Sequence, residues 1–205
     1  MVHELIKRVL SSLILVPLAL YFIIQGSYLL MFFTFVCFLV ACYEWHKMTK
    51  KKNFKIYGFP FLIFSFYTFY ILSLEFTLAV FVILICISTD VGGYFFGKIF
   101  KGPKLTKISP KKTYTGMIGG FLLSLICLAT ITNLIDYPHI PIQFFIITII
   151  ISTVSQIGDI IISYFKRLSK IKDTGKIIPG HGGILDRIDG MIFAFPIFYL
   201  INLTG

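Results

Sequence analysis

The sequence predicts an all-α integral membrane protein, a polytopic bundle of about seven transmembrane helices, from three observations. Hydrophobic residues make up 57% of the 205 residues and the mean hydropathy is +0.90, whereas soluble domains are roughly 45–50% apolar. Seven apolar segments approach the roughly 20 residues that a membrane span needs. Basic residues collect in alternate loops. We expect a single membrane domain over 1–205, with N-terminal helices in 1–75 and the functional helices and cytoplasmic loops in 76–205.

The apolar segments follow one another with short loops between them. The first comes after Lys7 and Arg8 and could pass for a signal peptide, but more segments follow and no Ala-x-Ala cleavage site is evident, so we expect a retained helix. The third is rich in Phe and Tyr, which would also suit a helix lying at the membrane interface. The predicted spans are about 9–25, 27–45, 57–74, 76–99, 114–135, 140–165 and 189–203.

The basic residues predict the orientation of the bundle. All nineteen Lys and Arg residues lie before the first segment or at the second, fourth and sixth loops. Because cytoplasmic loops collect Lys and Arg, the amino terminus is expected in the cytoplasm and the carboxyl terminus outside. A net charge of +10 on that face would attract anionic lipid headgroups or a polyanionic solute. Nucleic acid is not an expected partner, since the chain has no separate basic domain and no recognisable nucleic-acid module.

Two aspartates fall inside predicted spans at a matching depth. Asp90 precedes Lys98 by eight residues and Asp159 precedes Lys166 by seven, which in a helix places both about 10–12 Å below the cytoplasmic charge layer. An ionised Asp in a span costs roughly 2.5–3.5 kcal/mol to insert. Each is therefore expected to face a wet cavity, a cation or a basic partner, the alternative being an internal ion pair that only holds helices together.

Two further aspartates, Asp186 and Asp189, are spaced i, i+3 where the last helix is predicted to begin, so both can project to one side. With Asp159 they could hold a hard divalent cation. Mg²⁺ takes oxygen ligands and commonly needs only one or two carboxylates plus substrate phosphates. Helix capping is the alternative explanation for one member of the pair.

A glycine-rich loop immediately precedes this pair. It reads Pro179-Gly-His-Gly-Gly183, and exposed backbone N–H groups at a helix start suit anions. His181 could donate a hydrogen bond to phosphate or move a proton, and Gly182 and Gly183 would give the backbone freedom to approach a ligand. A purely structural histidine is the alternative. Zinc is not expected, because no second His or Cys lies nearby.

A second loop combines hydroxyl groups with positive charge directly before the fifth segment. Ser109, Lys111, Lys112 and Thr113 would give a polyphosphate hydroxyl donors and point charges. The Gly-x-x-x-x-Gly-Lys-Ser/Thr pattern of a P-loop is absent from the chain. Topology determination alone is the alternative reason for the two lysines.

The charged stretch near the carboxyl end reads Ser163-Tyr-Phe-Lys-Arg-x-x-x-x-Lys172-Asp173-x-Gly175-x-x-Ile178-Pro179-x-His181-Gly-Gly-Ile-x-Asp186-Arg187-Ile-Asp189. This run resembles the signature of the CDP-diacylglycerol synthase family, also called phosphatidate cytidylyltransferase. The Ser-Pro-Lys-Lys-Thr loop and the run Asp90-x-x-x-Tyr-Phe-x-Gly-Lys98 are also similar to family features, so the likeness covers roughly 85–195. One departure is Thr115, where family members usually carry Glu.

The resemblance implies transfer of a cytidylyl group from CTP to phosphatidic acid, with Mg²⁺ required and pyrophosphate released. Asp159 and Asp189, with Asp186 near, would hold the metal. His181 would contact phosphate, and Asp90 would shape the cavity or assist a second cation. The cations expected to neutralise the triphosphate and the pyrophosphate are Lys111, Lys112, Lys166 and Arg167, and the signature adds Lys172, Asp173 and Arg187 as catalytic candidates.

Other readings of the sequence remain open. A membrane CTP-dependent polyprenol or phytol kinase would use similar residues to transfer the γ-phosphoryl group, leaving CDP. An anion transporter fits the intramembrane acids and basic rims, but the two halves show no self-similarity of the kind many transporters have. A purely structural membrane subunit would not explain the His-Gly-Gly-x-x-Asp-Arg-x-Asp run. We expect a bacterial inner membrane location, an active site on the cytoplasmic side and a homodimer as one compatible assembly.

Overall fold

The computed structural model of the chain is helical, as predicted. It describes residues 17–50, 55–106, 108–109, 112–134, 141–175, 177 and 182–204. Within these residues there is no β-strand, and an isolated β-bridge joins Lys104 to Thr113 across the loop before the fifth helix. The helices are α1 (17–25, as far as it is described), α2 (Ser27–Thr49), α3 (Lys55–Ser73), α4 (Phe76–Phe100), α5 (Tyr114–Leu134), α6 (Ile142–Leu168) and α7 (Met191–Thr204).

The predicted apolar segments coincide with these helices to within about four residues at each described end. Five of them, α2 to α6, are long and apolar enough to cross a membrane. The third segment meets that condition over its 19 residues, although its aromatic content had also suggested an interfacial helix. The last helix, α7, has 14 residues, fewer than the roughly 20 of an upright span. The chain is thus an integral membrane protein by helix length and composition, and the seven-span count and orientation stay predictions.

Glycines allow α4 and α5 to pack closely. A Cβ added to Gly92 on α4 would overlap the backbone carbonyl of Gly119 on α5, and one added to Gly119 would overlap the Phe96 ring. Small residues at a membrane helix interface let the two backbones approach each other. This close pair fixes Asp90 of α4 beside the loop that leads into α5.

A matched pair of variants tests this packing. Gly92→Ala is expected to lower the free energy of unfolding by about 1–3 kcal/mol, because the new methyl group meets rigid backbone rather than a movable side chain. Gly93→Ala is the control, since its nearest neighbour would be the Gly116 carbonyl oxygen at 3.7 Å. Thermal unfolding in detergent should separate the two variants. Equal melting temperatures would contradict the close packing of α4 and α5.

The buried face of α6 is unusually polar. Thr148, Ser152, Ser155 and Ser163 are all buried on it, at the three- and four-residue spacings that share one side of a helix. The Thr89 hydroxyl of α4 donates to the Ser152 hydroxyl at 2.9 Å. In a membrane-spanning helix polar residues turn toward protein rather than lipid. This orientation of α6 also carries Asp159 toward the inside of the bundle.

Two large apolar clusters hold the helices together, and a third, smaller one joins α1, α2 and α4 through Ile23, Leu30 and Ala79. One packs α2, α3, α6 and the turn before α7 around Trp45, Leu62, Ile162 and Leu185. In it the Trp45 indole N–H donates to the Lys55 carbonyl at 3.0 Å, joining the ends of α2 and α3. The other large cluster packs α4, α6 and α7. The turn at residues 184–190 is therefore anchored in the first core cluster while it faces the end of α6.

Candidate active site

A cavity of about 280 Å³ lies between α4, the loop before α5, the start of α5, and α6. It brings together predicted residues from three separate parts of the sequence. Five of them, Asp90, Ser109, Lys112, Thr113 and Asp159, line its wall. The other lining residues are Thr89, Gly93, Tyr94, Leu105, Gly116, Met117 and Gln156. The cavity is therefore mixed in character, with carboxylates, a cation, hydroxyls and an amide facing one space.

An ion pair crosses this cavity. The Lys112 ammonium lies 2.5 Å from Oδ2 of Asp159 and also donates to the Gln156 carbonyl at 3.3 Å. The Ser163 hydroxyl donates to the other Asp159 oxygen at 3.3 Å. Both charged side chains keep about a quarter of their surface exposed, 24% for Lys112 and 28% for Asp159. The pair is therefore accessible to a ligand whose phosphate could bind the lysine and whose bound cation could bind the aspartate.

The loop before α5 is shaped by its hydroxyl groups. Thr113 caps the helix, because its hydroxyl accepts the Gly116 backbone N–H at 3.1 Å. The Thr106 hydroxyl accepts the Ser109 N–H at 3.1 Å. These bonds hold Ser109 and Lys112 at the cavity wall.

Asp186 is bonded within its own loop region on both oxygens. The Lys166 ammonium lies 2.9 Å from Oδ1, while Oδ2 accepts the backbone N–H groups of Thr174 at 2.8 Å and Gly183 at 3.0 Å. Burial acts to raise the pKa of Asp186, but the hydrogen bonds from Gly183 and Lys166 outweigh it and hold the pKa below its ordinary value. Asp186 is thus a fixed anion that ties α6 to the glycine-rich loop.

Asp189 lies in a different environment from Asp186, although only three residues separate them. Its Oδ2 is 4.0 Å from the Lys166 ammonium, and Oδ1 accepts the N–H of the next residue, Gly190, at 3.0 Å. Burial raises the pKa of Asp189 well above its ordinary value, and the negative charge of Asp159 raises it further, while Lys166 opposes both. Asp189 is therefore close enough to Asp159 to be affected by its charge, and among the described residues its cationic neighbour is Lys166 at 4.0 Å.

The donor chemistry suits a hard cation. Asp90, Asp159 and Asp189 act on one another electrostatically, and a positive ion near them would relieve this repulsion. Within the described residues, however, no group of three or more His, Cys, Asp and Glu is close enough to form a metal site by itself. Protein carboxylates alone do not complete a ligand set there, which is compatible with a Mg²⁺ ion that takes part of its ligands from substrate phosphates. The metal assignment to residues 159, 186 and 189 stays a prediction.

Several predicted residues lie away from the cavity wall. Arg167 is exposed, and its guanidinium donates to the Ile171 carbonyl at 3.0 Å, closing the end of α6. Lys172, Asp173 and Arg187 are exposed and do not line the cavity. Arg187 still interacts electrostatically with Asp90. These four residues are therefore not part of the cavity wall.

The glycine-rich loop is described only from Gly182 onward. Gly182 has φ +87°, a left-handed conformation that favours glycine, and a Cβ there would lie 2.7 Å from Oδ2 of Asp186. Lys111 and His181 lie outside the described residues, so their predicted phosphate contacts stay predictions. Gly182 and Gly183 lie against the Asp186 carboxylate, and this close approach explains why glycine occupies both positions.

The sequence matches the Cytidylyltransferase family over residues 6–85 and 72–204. The chain belongs to the cytidylyltransferase family. It is similar to a phosphatidate cytidylyltransferase of Rickettsia typhi, with 38% identity over 208 residues that cover 96% of this chain and 91% of that protein. A protein of the same name from Bacillus subtilis is 46% identical over 116 residues, covering 56% of this chain and 43% of that protein. Another from Brucella suis is 40% identical over 131 residues, covering 62% and 47%.

The family resemblance seen in the sequence is therefore confirmed, and the departure at Thr115 has a structural explanation in this cytidylyltransferase chain. The Thr115 hydroxyl accepts the Gly102 backbone N–H at 3.3 Å and lies 3.0 Å from the Thr113 hydroxyl. A Cβ on Gly102 would lie 2.6 Å from the Thr115 methyl group. Thr115 thus closes the base of the loop that carries Ser109 and Lys112.

Sequence reasoning missed one acidic residue of this cytidylyltransferase. Glu44 lies on α2, is fully buried, and accepts the backbone N–H groups of Ile184 at 3.0 Å and Leu185 at 2.9 Å. The available signal was a lone carboxylate inside an apolar segment, the same signal that identified Asp90 and Asp159. The cavity-lining residues Thr89 and Gln156 were also missed, because neither carries charge.

Proposed function

We propose that this chain is a membrane phosphatidate cytidylyltransferase, which transfers CMP from CTP to phosphatidic acid and releases pyrophosphate. Family membership and the near full-length similarity to the Rickettsia typhi protein of that name support the activity. The observation that carries the proposal is the Lys112–Asp159 ion pair in a cavity that Ser109 and Thr113 also line. The pair supplies a cation for phosphate and a carboxylate for a metal in one space.

The reaction requires positioning and charge neutralisation more than proton transfer. A phosphate oxygen of phosphatidic acid attacks the α-phosphorus of CTP, the new P–O bond forms, and the bond to the β-phosphate oxygen breaks as pyrophosphate leaves. The attacking oxygen is already anionic, so no strong base is needed. Lys112 would neutralise phosphate oxygens in the cavity, and Lys166 would stabilise the carboxylates of Asp186 and Asp189 with which it pairs.

We propose that Asp159 and Asp189 hold Mg²⁺ together with phosphates of the substrate. The ion would supply positive charge to the triphosphate and to the leaving pyrophosphate. Asp186 would support the metal site without binding the ion directly, since both of its oxygens are already bonded to Lys166, Thr174 and Gly183. Asp90 would shape the cavity or assist a second cation. His181 and Lys111 would contact phosphate, as the family resemblance implies.

The topology is proposed on the same reasoning. Seven spans with a cytoplasmic amino terminus would place the cavity at the cytoplasmic side of a bacterial plasma membrane, which the bacterial relatives support. The ends of α4 and α6 nearest the cavity carry Lys98, Lys166 and Arg167, as cytoplasmic ends do. CTP would then arrive from the cytosol and phosphatidic acid from the adjacent leaflet. A homodimer and the absence of a nucleic-acid partner stay predictions from the sequence.

Product analysis tests the proposed function. Purified protein with Mg²⁺, phosphatidic acid and CTP labelled in the cytosine ring should form a labelled lipid and one equivalent of pyrophosphate. A CTP-dependent kinase would instead leave the label in water-soluble CDP and phosphorylate its lipid. Reactions lacking phosphatidic acid or containing EDTA serve as controls. Formation of CDP without labelled lipid would overturn the assignment in favour of the kinase.

A further inference from the structure

Glu44 is a carboxylate in a buried position, where acidic side chains are rarely found. It is fully buried on α2, and no residue of α2 is among those that line the cavity. Its Oε1 accepts the Ile184 N–H at 3.0 Å, and Oε2 accepts the Leu185 N–H at 2.9 Å. Buried carboxylates are retained where they are fully hydrogen-bonded. Here the partners come from the turn between the glycine-rich loop and Asp189.

A third partner connects Glu44 to the charged residues of the site. The Thr174 hydroxyl lies 3.0 Å from Oε2 of Glu44 and 3.0 Å from Oδ2 of Asp186. One hydroxyl proton serves one acceptor at a time, so Thr174 bridges the two carboxylates rather than bonding fully to both. Asp186 in turn bonds Lys166 at 2.9 Å, and Lys166 lies 4.0 Å from Asp189. The contacts run without a break from α2 to Asp189.

The backbone leaves room for the Glu44 carboxylate at two glycines. A Cβ on Gly175 would lie 2.5 Å from Oε1, and a Cβ on Gly183 would overlap Oε2. Two segments of the loop, 174–175 and 183–185, therefore close on this one carboxylate. A glutamine would keep one acceptor oxygen but would turn an amide N–H₂ toward the backbone donor on the other side, so the shape would be kept and at least one backbone hydrogen bond lost.

We propose that Glu44 is a positioning residue that fixes residues 174–175 and 182–190 against α6 and so sets the placement of Asp186, Lys166 and Asp189. The proposal rests on the proposed cytidylyltransferase activity for its kinetic consequence only. Its structural consequence, a loop that is ordered by a carboxylate on α2, holds for any reaction at this site. Removal of the carboxylate displaces residues at the site without touching the cavity wall. Displacements of this kind cost on the order of 100-fold in rate.

Hydrogen exchange of the substrate-free protein in detergent tests the anchor directly. Glu44→Gln should accelerate exchange at the Ile184 or the Leu185 amide, whichever faces the new N–H₂, while peptides from α5 keep their protection. It should also lower kcat/KM on the order of 100-fold. Glu75→Gln is the control, because it makes the same chemical change at an exposed position between α3 and α4.

A second set of variants keeps the proposal falsifiable if Glu44→Gln does not fold. Thr174→Val should raise exchange over 183–186 and lower kcat/KM, and Thr174→Ser, which restores the hydroxyl, should recover both. Thr49→Val is the matched control, since Thr49 is buried on α2 but bonds only the Trp45 carbonyl of its own helix. Where the double variant folds, its kcat/KM loss should be smaller than the product of the Glu44→Gln and Thr174→Val losses.

The outcomes separate failure of the anchor from failure of the proposed function. Unchanged exchange at 183–186 in both Glu44→Gln and Thr174→Val, or losses that multiply in the double variant, would overturn the anchor. Loss of protection together with a product other than CDP-diacylglycerol would support the anchor and reject the proposed function.

Discussion

Asp159→Asn is expected to reduce CDP-diacylglycerol formation on the order of 10³-fold, the scale seen when a preorganised charge is removed from a reaction centre. Asparagine keeps the size of the side chain and an oxygen that can accept the Ser163 hydroxyl. It removes the charge that pairs with Lys112 and that would hold the cation. The loss should therefore fall on turnover while folding is retained. Initial rates at saturating CTP and phosphatidic acid measure the effect.

Two comparisons complete this experiment. Glu75→Gln removes a carboxylate from an exposed turn and should leave turnover within about twofold of the wild type, as surface substitutions away from a site usually do. Asp159→Glu keeps the charge but moves it by one methylene group, so intermediate activity is expected. If Asp159→Asn folds and turns over as fast as Glu75→Gln, Asp159 has no part in the reaction.

Lys166→Met should both destabilise the protein and abolish turnover. The lysine is buried, with 10% of its side chain exposed, and it pairs with Asp186, of which 5% is exposed. Its removal leaves two buried acids, at positions 186 and 189, without their cation. Breaking a buried pair from one side costs about 3–5 kcal/mol. Thermal unfolding in detergent should show the loss as a large fall in melting temperature.

A compensating variant distinguishes charge from packing in this effect. Lys166→Met combined with Asp186→Asn removes one of the two unpaired charges, while the asparagine oxygen still accepts the Thr174 and Gly183 N–H groups. The double variant should be more stable than Lys166→Met alone and should remain inactive. A double variant that is less stable than Lys166→Met would show that the lysine stabilises the protein by packing of its aliphatic chain rather than by its charge.

Patterns close together in the sequence predicted much of this structure. Helix ends followed from hydropathy, and the depth argument placed Asp90 and Asp159 at one cavity because both lie a fixed number of helical residues from a basic helix end. The hydroxyl and lysine residues at 109–113 were predicted to bind phosphate, and Ser109, Lys112 and Thr113 line that cavity. Local spacing is enough to predict such features, because the fixed rise per residue of a helix gives the depth of each residue along the helix axis.

Long-range contacts were not predictable in the same way. Asp186 and Asp189 look equivalent by spacing. The loop nevertheless folds back so that Thr174 and Gly183 donate to Asp186, whereas among the described residues the ion pair of Asp189 is a longer one, with Lys166 at 4.0 Å. Glu44 meets Ile184, 140 residues further along the chain. No periodicity links such distant positions. Their roles depend on tertiary packing, which a single sequence does not encode in any local pattern.

Photolabelling with a CTP analogue that carries its azide on the γ-phosphate tests most directly whether this cavity holds the triphosphate. In the presence of Mg²⁺, crosslinks should map to peptides from the cavity wall, chiefly residues 105–117 of the α5 loop and 156–166 of α6, and excess CTP should suppress them. Lys112→Met and Asp159→Asn should weaken the same crosslinks. Labelling that CTP suppresses only in α1 to α3, with none at residues 105–117 or 156–166, would contradict the account.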